Sequence, residues 1–88
     1  MGLYEILVKA GAEKDITRLP YDVVPRILKK IEALSETPIP HGARKVSGTE
    51  SLYRIRAGDY RIIYEVSHER RQITIVYVRH RHSAYRRL

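Results

Sequence analysis

From Leu52 to His80 the sequence alternates with a period of two in three runs, "LYRIRA" (52–57), "YRIIYEV" (60–66) and "QITIVYVRH" (72–80). That period belongs to extended chain, whose successive side chains point to opposite sides, so this part of the molecule is committed to strands. Its two interruptions are turns. Gly58-Asp59 is a two-residue hairpin signal and "SHERR" (67–71) a longer polar turn. Three consecutive strands joined in this way present an apolar face that another layer must cover. The third run is apolar on both parities, Ile73, Ile75 and Tyr77 against Val76 and Val78, the pattern of a central strand covered on both faces.

The first half supplies the cover. "YEILV" (4–8) is a short strand rich in β-formers. In "GAEKDITRL" (11–19) Ala12, Ile16 and Leu19 fall on one helical face, and Pro20 interrupts the pattern. A second helix is expected over 21–36, where Val24, Ile27, Leu28, Ile31 and Leu34 recur at amphipathic spacing. Asp22 is placed to cap its start, and Pro25 falls in the first turn, where a missing N–H costs little. "TPIPHGARKVSG" (37–48) holds two prolines and two glycines and reads as a connection, with room for a short edge strand at 43–46. The expected architecture is α+β: one domain over 1–88, a helical hairpin on one face of a small, mostly antiparallel twisted sheet, in the order β-α-α-β-β-β. "HSAYRRL" (82–88) adds a short helical tail with Ser83 as its cap.

Charge narrows the function. The chain carries 17 Lys and Arg against 10 Asp and Glu, a net of +7. Residues 1–52 hold 8 basic and 7 acidic side chains, whereas residues 53–88 hold 9 and 3, so nearly all the excess lies in the second part. All nine of those basic residues are Arg, whose planar fork pairs two donors with one phosphate. An anionic partner follows, nucleic acid ahead of membrane, because no basic amphipathic helix accompanies the charge. The absence of Cys excludes a disulfide framework or thiolate metal site and fits a reducing interior. No apolar run spans a membrane and "MGLYEILV" lacks the features of a signal peptide, so the expected location is the cytoplasm.

Alternation sorts the arginines. Tyr53 and Ile55 point toward the helices while Arg54 and Arg56 point away. In the hairpin partner Tyr60, Ile62, Tyr64 and Val66 share the helix side, which leaves Arg61 with Ile63 and Glu65 on the other. Arg54, Arg56 and Arg61 therefore stand together on the open face. Like charges opposed across strands are unfavourable, and a polyanion relieves them. The competing reading is a solvated face on which basic residues block edge aggregation. Periodicity alone does not separate the two.

The same stretches resemble a known family. "AEKDITRLP", the Pro-interrupted Ile/Leu helix, "GARKVSG", "LYRIRAGDYRIIYEV" and "VYVRHRHSAYRRL" together resemble the RelE/ParE toxin superfamily, in its RelE-like branch, over essentially the whole chain. The resemblance implies two helices on a twisted antiparallel sheet. It implies a toxin of a type II toxin–antitoxin system that cleaves mRNA in the ribosomal A site, without metal or cofactor. Its partners would be a 70S-type ribosome with mRNA and a RelB-like antitoxin, with DNA met only through the antitoxin complex. Onto the family pattern, Arg54, Arg56, Arg61, Arg81 and Tyr85 match as catalytic residues, and His80 stands where relatives carry His. Arg79, Arg86 and Arg87 join Arg54, Arg56, Arg61 and Arg81 as candidate RNA or ribosome contacts.

In that chemistry a base acts at the 2′-oxygen, cations stabilise the phosphorane and an acid protonates the leaving 5′-oxygen. Arg61 and Arg81 would grip the phosphate, Arg54 and Arg56 would neutralise it and help protonate the leaving group, and Tyr85 would be the base. His80 and His82 are the rival assignment, since imidazole titrates in the useful range. Other polar residues receive structural readings: Asp59 serves the turn, Glu65 pairs with Arg54 or Arg56, and Glu13, Asp15, Glu32 and Glu36 are solvated helix positions. Tyr4, Tyr53, Tyr60, Tyr64 and Tyr77 are expected in the core. His41 and His68 receive no role. Two other functions stay open, a ParE-like gyrase inhibitor on the same scaffold and a non-catalytic basic domain that binds RNA or an antitoxin.

Overall fold

The computed structural model describes residues 3–81. Its elements are β1 (Glu5–Val8), α1 (Ala10–Thr17), α2 (Val24–Ala33), β2 (Arg44–Lys45), β3 (Leu52–Ala57), β4 (Tyr60–Ser67) and β5 (Gln72–His80). They form a five-stranded sheet in the order β1-β5-β4-β3-β2. β1 runs parallel to β5, and every other pairing is antiparallel. The α+β architecture read from the sequence is the one observed, and the helical tail expected over 82–88 with Ser83 as its cap lies outside the described residues.

The core lies between the helices and one face of the sheet. Ala12 of α1 and Ile27 and Ile31 of α2, with Leu34 just beyond, meet Ile55, Ile62, Tyr64, Val66, Ile73, Ile75 and Val78 from the strands. Burying each Ile or Leu contributes about 1.5–3 kcal/mol. α1 lies over β5 and α2 over β3. β1 is pinned to the end of α2, since the Tyr4 N–H donates to the Ser35 carbonyl at 2.9 Å and the Ser35 hydroxyl returns a bond to the Tyr4 carbonyl at 2.7 Å.

Several local expectations are corrected. Both helices are shorter than the apolar spacing implies, because Arg18 to Leu19 and Leu34 to Ser35 close them with tight i→i−3 bonds. Asp22 does not cap α2. Its N-cap is Val23, with no side-chain cap bond, and Pro25 sits in the first turn as expected. Leu28 is 43% exposed, off the buried stripe.

β5 is not sandwiched between two layers. Its register with β4 shifts, Tyr64 facing Ile75 while Ile63 faces Tyr77, so Val76 is the extra residue of a bulge. The bulge moves the core-facing parity from Ile73 and Ile75 to Val78, which is why both parities are apolar. It also turns Tyr77 away from the helices, so this tyrosine stands on the open face. Tyr53, Tyr60 and Tyr64 are on the core side as expected, and Tyr4 packs against its margin.

Candidate anion-binding site

Cross-strand partners share a face, so the ladder itself assembles the site. One row runs Arg44, Arg54, Ile63, Tyr77 and the next runs Arg56, Arg61, Arg79, all on the face away from the helices. Gly58, with a φ of +63° that suits glycine, closes the β3–β4 turn beside the second row. Gly42, at φ +96°, ends the connection just before the two-residue strand β2. That strand sets Arg44 opposite Arg54 and Lys45 opposite Tyr53.

Arg44, Arg54, Arg56, Arg61 and Gly42 line one concavity of about 100 Å³. No carboxylate belongs to this lining. Arg61 is 8% exposed and is the one buried charged side chain among the described residues, so its position is set by the sheet rather than by solvent. Guanidinium groups stay charged at any ordinary pH, and four around so small a hollow create a field that favours an oxyanion accepting several forked bonds. Larger hollows occur, one of about 380 Å³ lined by Lys30, Leu34, Pro40, His41, Ile55 and Arg56 and one of about 340 Å³ lined by Arg26, Lys29 and Lys30, but neither brings four guanidinium groups together.

The structure thus brings together Arg54, Arg56 and Arg61 as the alternation implied. It adds Arg44, which sequence reading missed. A two-residue strand has no periodicity to read, and the only signal was a basic pair, "RK", between two glycines.

Arg79 shares the row by register, but its guanidinium lies over the Tyr77 ring at 4.7 Å and its Nε donates to Asp15 Oδ2 at 3.3 Å. Asp15 also accepts the Val78 N–H at 3.0 Å. Its reading as a solvated helix position is therefore corrected. Glu65 does not reach Arg54 or Arg56; it accepts a bond from the Ser51 hydroxyl at 3.2 Å.

Arg81 is exposed at the end of β5, and its N–H donates to the Asp59 carbonyl at 2.8 Å, which fixes it beside the β3–β4 turn at the same end of the sheet as Arg56 and Arg61. His80 pairs with Tyr60, edge-on at 5.3 Å, on the side of the sheet opposite the arginine rows. His68 meets the Tyr4 hydroxyl at 2.7 Å, a structural contact. His82, Tyr85, Arg86 and Arg87 lie outside the described residues. Among the described residues, no group of three or more His, Cys, Asp or Glu is placed to hold a metal, and no helix is long and apolar enough to cross a membrane.

Comparison with known proteins gives a consistent answer. Residues 6–85 match the family described as ParE toxin of type II toxin–antitoxin system, parDE. The chain is 32% identical over 76 residues to RelE1 of Methanocaldococcus jannaschii, covering 83% of this chain and 84% of that one. Against Toxin RelE of Mycobacterium tuberculosis the identity is 26% over 84 residues, 94% and 87% of the two chains. The archaeal RelE–RelB complex from Pyrococcus horikoshii superposes with a TM-score of 0.80 at 31% identity, covering 90% of this chain and 96% of that one. Family match, identity and superposition agree over nearly the full length, and the chain belongs to the RelE/ParE superfamily of toxins from type II toxin–antitoxin systems.

Proposed function

We propose that this toxin is a ribosome-dependent endoribonuclease of the RelE type, which cleaves mRNA in the A site and thereby stops translation. The observation that carries this reading is the convergence of Arg44, Arg54, Arg56 and Arg61 on one hollow without a carboxylate. Relatives named RelE support it. Solved complexes that pair RelE with RelB support a RelB-like antitoxin as the partner that holds the toxin inactive. The setting is the cytoplasm, and contact with DNA runs only through the antitoxin complex.

On this reading the RNA's own 2′-oxygen attacks the adjacent phosphorus and the bond to the 5′-oxygen breaks, leaving a cyclic phosphate and a 5′-hydroxyl. Arg61 and Arg81 hold the phosphate while Arg54 and Arg56 neutralise the charge that grows on it and favour protonation of the leaving oxygen. Arg44 adds a fourth cation to the hollow. Tyr85 would take the proton from the 2′-hydroxyl; a free phenol titrates near about 10, and a cation brought close to a phenol favours its ionised form. His80 and His82 are the rival base and acid, and His80 is the weaker of these because its ladder position is on the far side from the arginine rows. Arg86 and Arg87 are ribosome or RNA contacts, whereas Arg79, drawn to Asp15 at 3.3 Å, is left out of the RNA-binding set. The ribosome supplies the in-line geometry of the reacting atoms, which is worth several kcal/mol, up to about 7–11. No metal or cofactor takes part.

A second reading, gyrase inhibition, has one observation in its favour, the ParE description of the matching family. Primer-extension mapping on programmed ribosomes and a gyrase supercoiling assay, run with the same preparation, separate the two. Cuts confined to the A-site codon and lost in Arg81→Ala are the expected outcome. Inhibited supercoiling with uncut mRNA overturns it.

A further inference from the structure

β1 pairs with β5 only as far as Ile75, and the chain then leaves through Lys9 into α1. From Val76 to His80, β5 has a strand partner on one side alone. Asp15 of α1 takes the place of the missing strand, and one oxygen, Oδ2, accepts both the Val78 N–H at 3.0 Å and the Arg79 Nε at 3.3 Å. The carboxylate is 15% exposed and the Arg79 side chain 31%, so the pair is held by the fold and partly shielded from water. Tyr77 supports the same guanidinium from below at 4.7 Å. This ion pair falls at the end of the Arg56, Arg61, Arg79 row.

We infer that Asp15 is a positioning residue that withholds Arg79 from the anion-binding face and so keeps the affinity of the toxin for free RNA low. This rests on the RNA-cleaving reading above. RNA without an imposed geometry binds in proportion to the cations it can reach. With Arg79 drawn toward α1, the face offers the Arg44, Arg54, Arg56 and Arg61 hollow and one cation fewer beside it. RNA presented by the ribosome gains orientation that free RNA lacks, so trimming the charge favours the ribosome-bound substrate.

The test is fluorescence anisotropy with labelled oligouridine between 50 and 200 mM salt, on the full chain. Asp15→Asn keeps an acceptor for the Val78 N–H and removes the charge that holds Arg79. Its slope of log affinity against log salt should steepen by about 0.7, so that affinity falls roughly 2.5-fold more over that range than in wild type. Asp15→Asn with Arg79→Ala should return to the wild-type slope. Asp15→Glu, which keeps the charge, should stay near it, and Arg79→Ala alone should leave it unchanged. An Asp15→Asn slope equal to wild type, or a gain that survives Arg79→Ala, overturns the inference alone. Absence of salt-dependent binding in wild type and Asp15→Asn alike overturns this inference, and uncut mRNA on programmed ribosomes overturns the RNA-cleaving reading on which it rests.

Discussion

Arg44 illustrates what one edge residue adds. It is exposed in a two-residue strand, so Arg44→Ala should leave the fold intact, yet it faces Arg54 across the hollow. The expected result is weaker oligouridine binding with a salt slope shallower by about 0.7, read by anisotropy. Tyr64 carries a different prediction. Its ring is fully buried and stacks near Tyr53 at 6.0 Å, and its hydroxyl donates to the Pro38 carbonyl at 2.8 Å, tying the connection after α2 to the sheet. Burial, with a smaller contribution from Tyr53, pushes this phenol up from 10.0 to about 12. The folded state therefore keeps the proton that the unfolded chain loses above pH 10. Stability from this group is present below pH 10 and is lost as pH rises toward about 12. Urea unfolding of wild type and Tyr64→Phe should show a difference that is constant near neutrality and shrinks above pH 10; a difference that grows there contradicts the assignment. Near neutrality Tyr64→Phe should cost about 1 kcal/mol, since a buried carbonyl loses its donor.

At the scale of elements, two glycines make opposite predictions. Gly58 sits at φ +63° in the β3–β4 turn, where a side chain is strained, so Gly58→Ala should destabilise by about 1–2 kcal/mol. Gly11 lies in α1 with nothing within 4 Å of an added Cβ, so Gly11→Ala should stabilise by about 0.5 kcal/mol. Thermal melts of the two variants check both signs. That turn, the three long strands and both helices are legible in the sequence because each rests on local signals, a Gly-Asp pair, a period of two or an amphipathic stripe. The bulge at Val76 is not. A run apolar on both parities fits a sandwiched strand as well as a strand that changes its buried side midway, and only the register with β4 separates them. Asp15 is hidden for a related reason: its partners, Val78 and Arg79, are more than 60 residues away, and on α1 it reads as one more polar position.

Across the whole molecule, the sheet divides labour between its faces. The helices and the main apolar core occupy one side, and among the described residues Arg44, Arg54, Arg56 and Arg61 gather on the other. The alternation of the strands is enough to assign Arg54, Arg56 and Arg61 to that side. The depth of the site is not legible in the same way, since Arg61 is buried and Gly42, from a connection over 34–43 with no periodic pattern, lines the same hollow. On the proposed function this hollow seats the phosphate at which mRNA is cut. The most direct test is the single-turnover cleavage rate of mRNA on programmed ribosomes for wild type, Arg56→Ala and Arg61→Ala, with thermal melts to confirm that each variant is folded. Rates should fall by about 10²–10³-fold in each folded variant, the loss expected when one charge-stabilising donor is removed. Cleavage at the wild-type rate by a folded Arg61→Ala protein would contradict it.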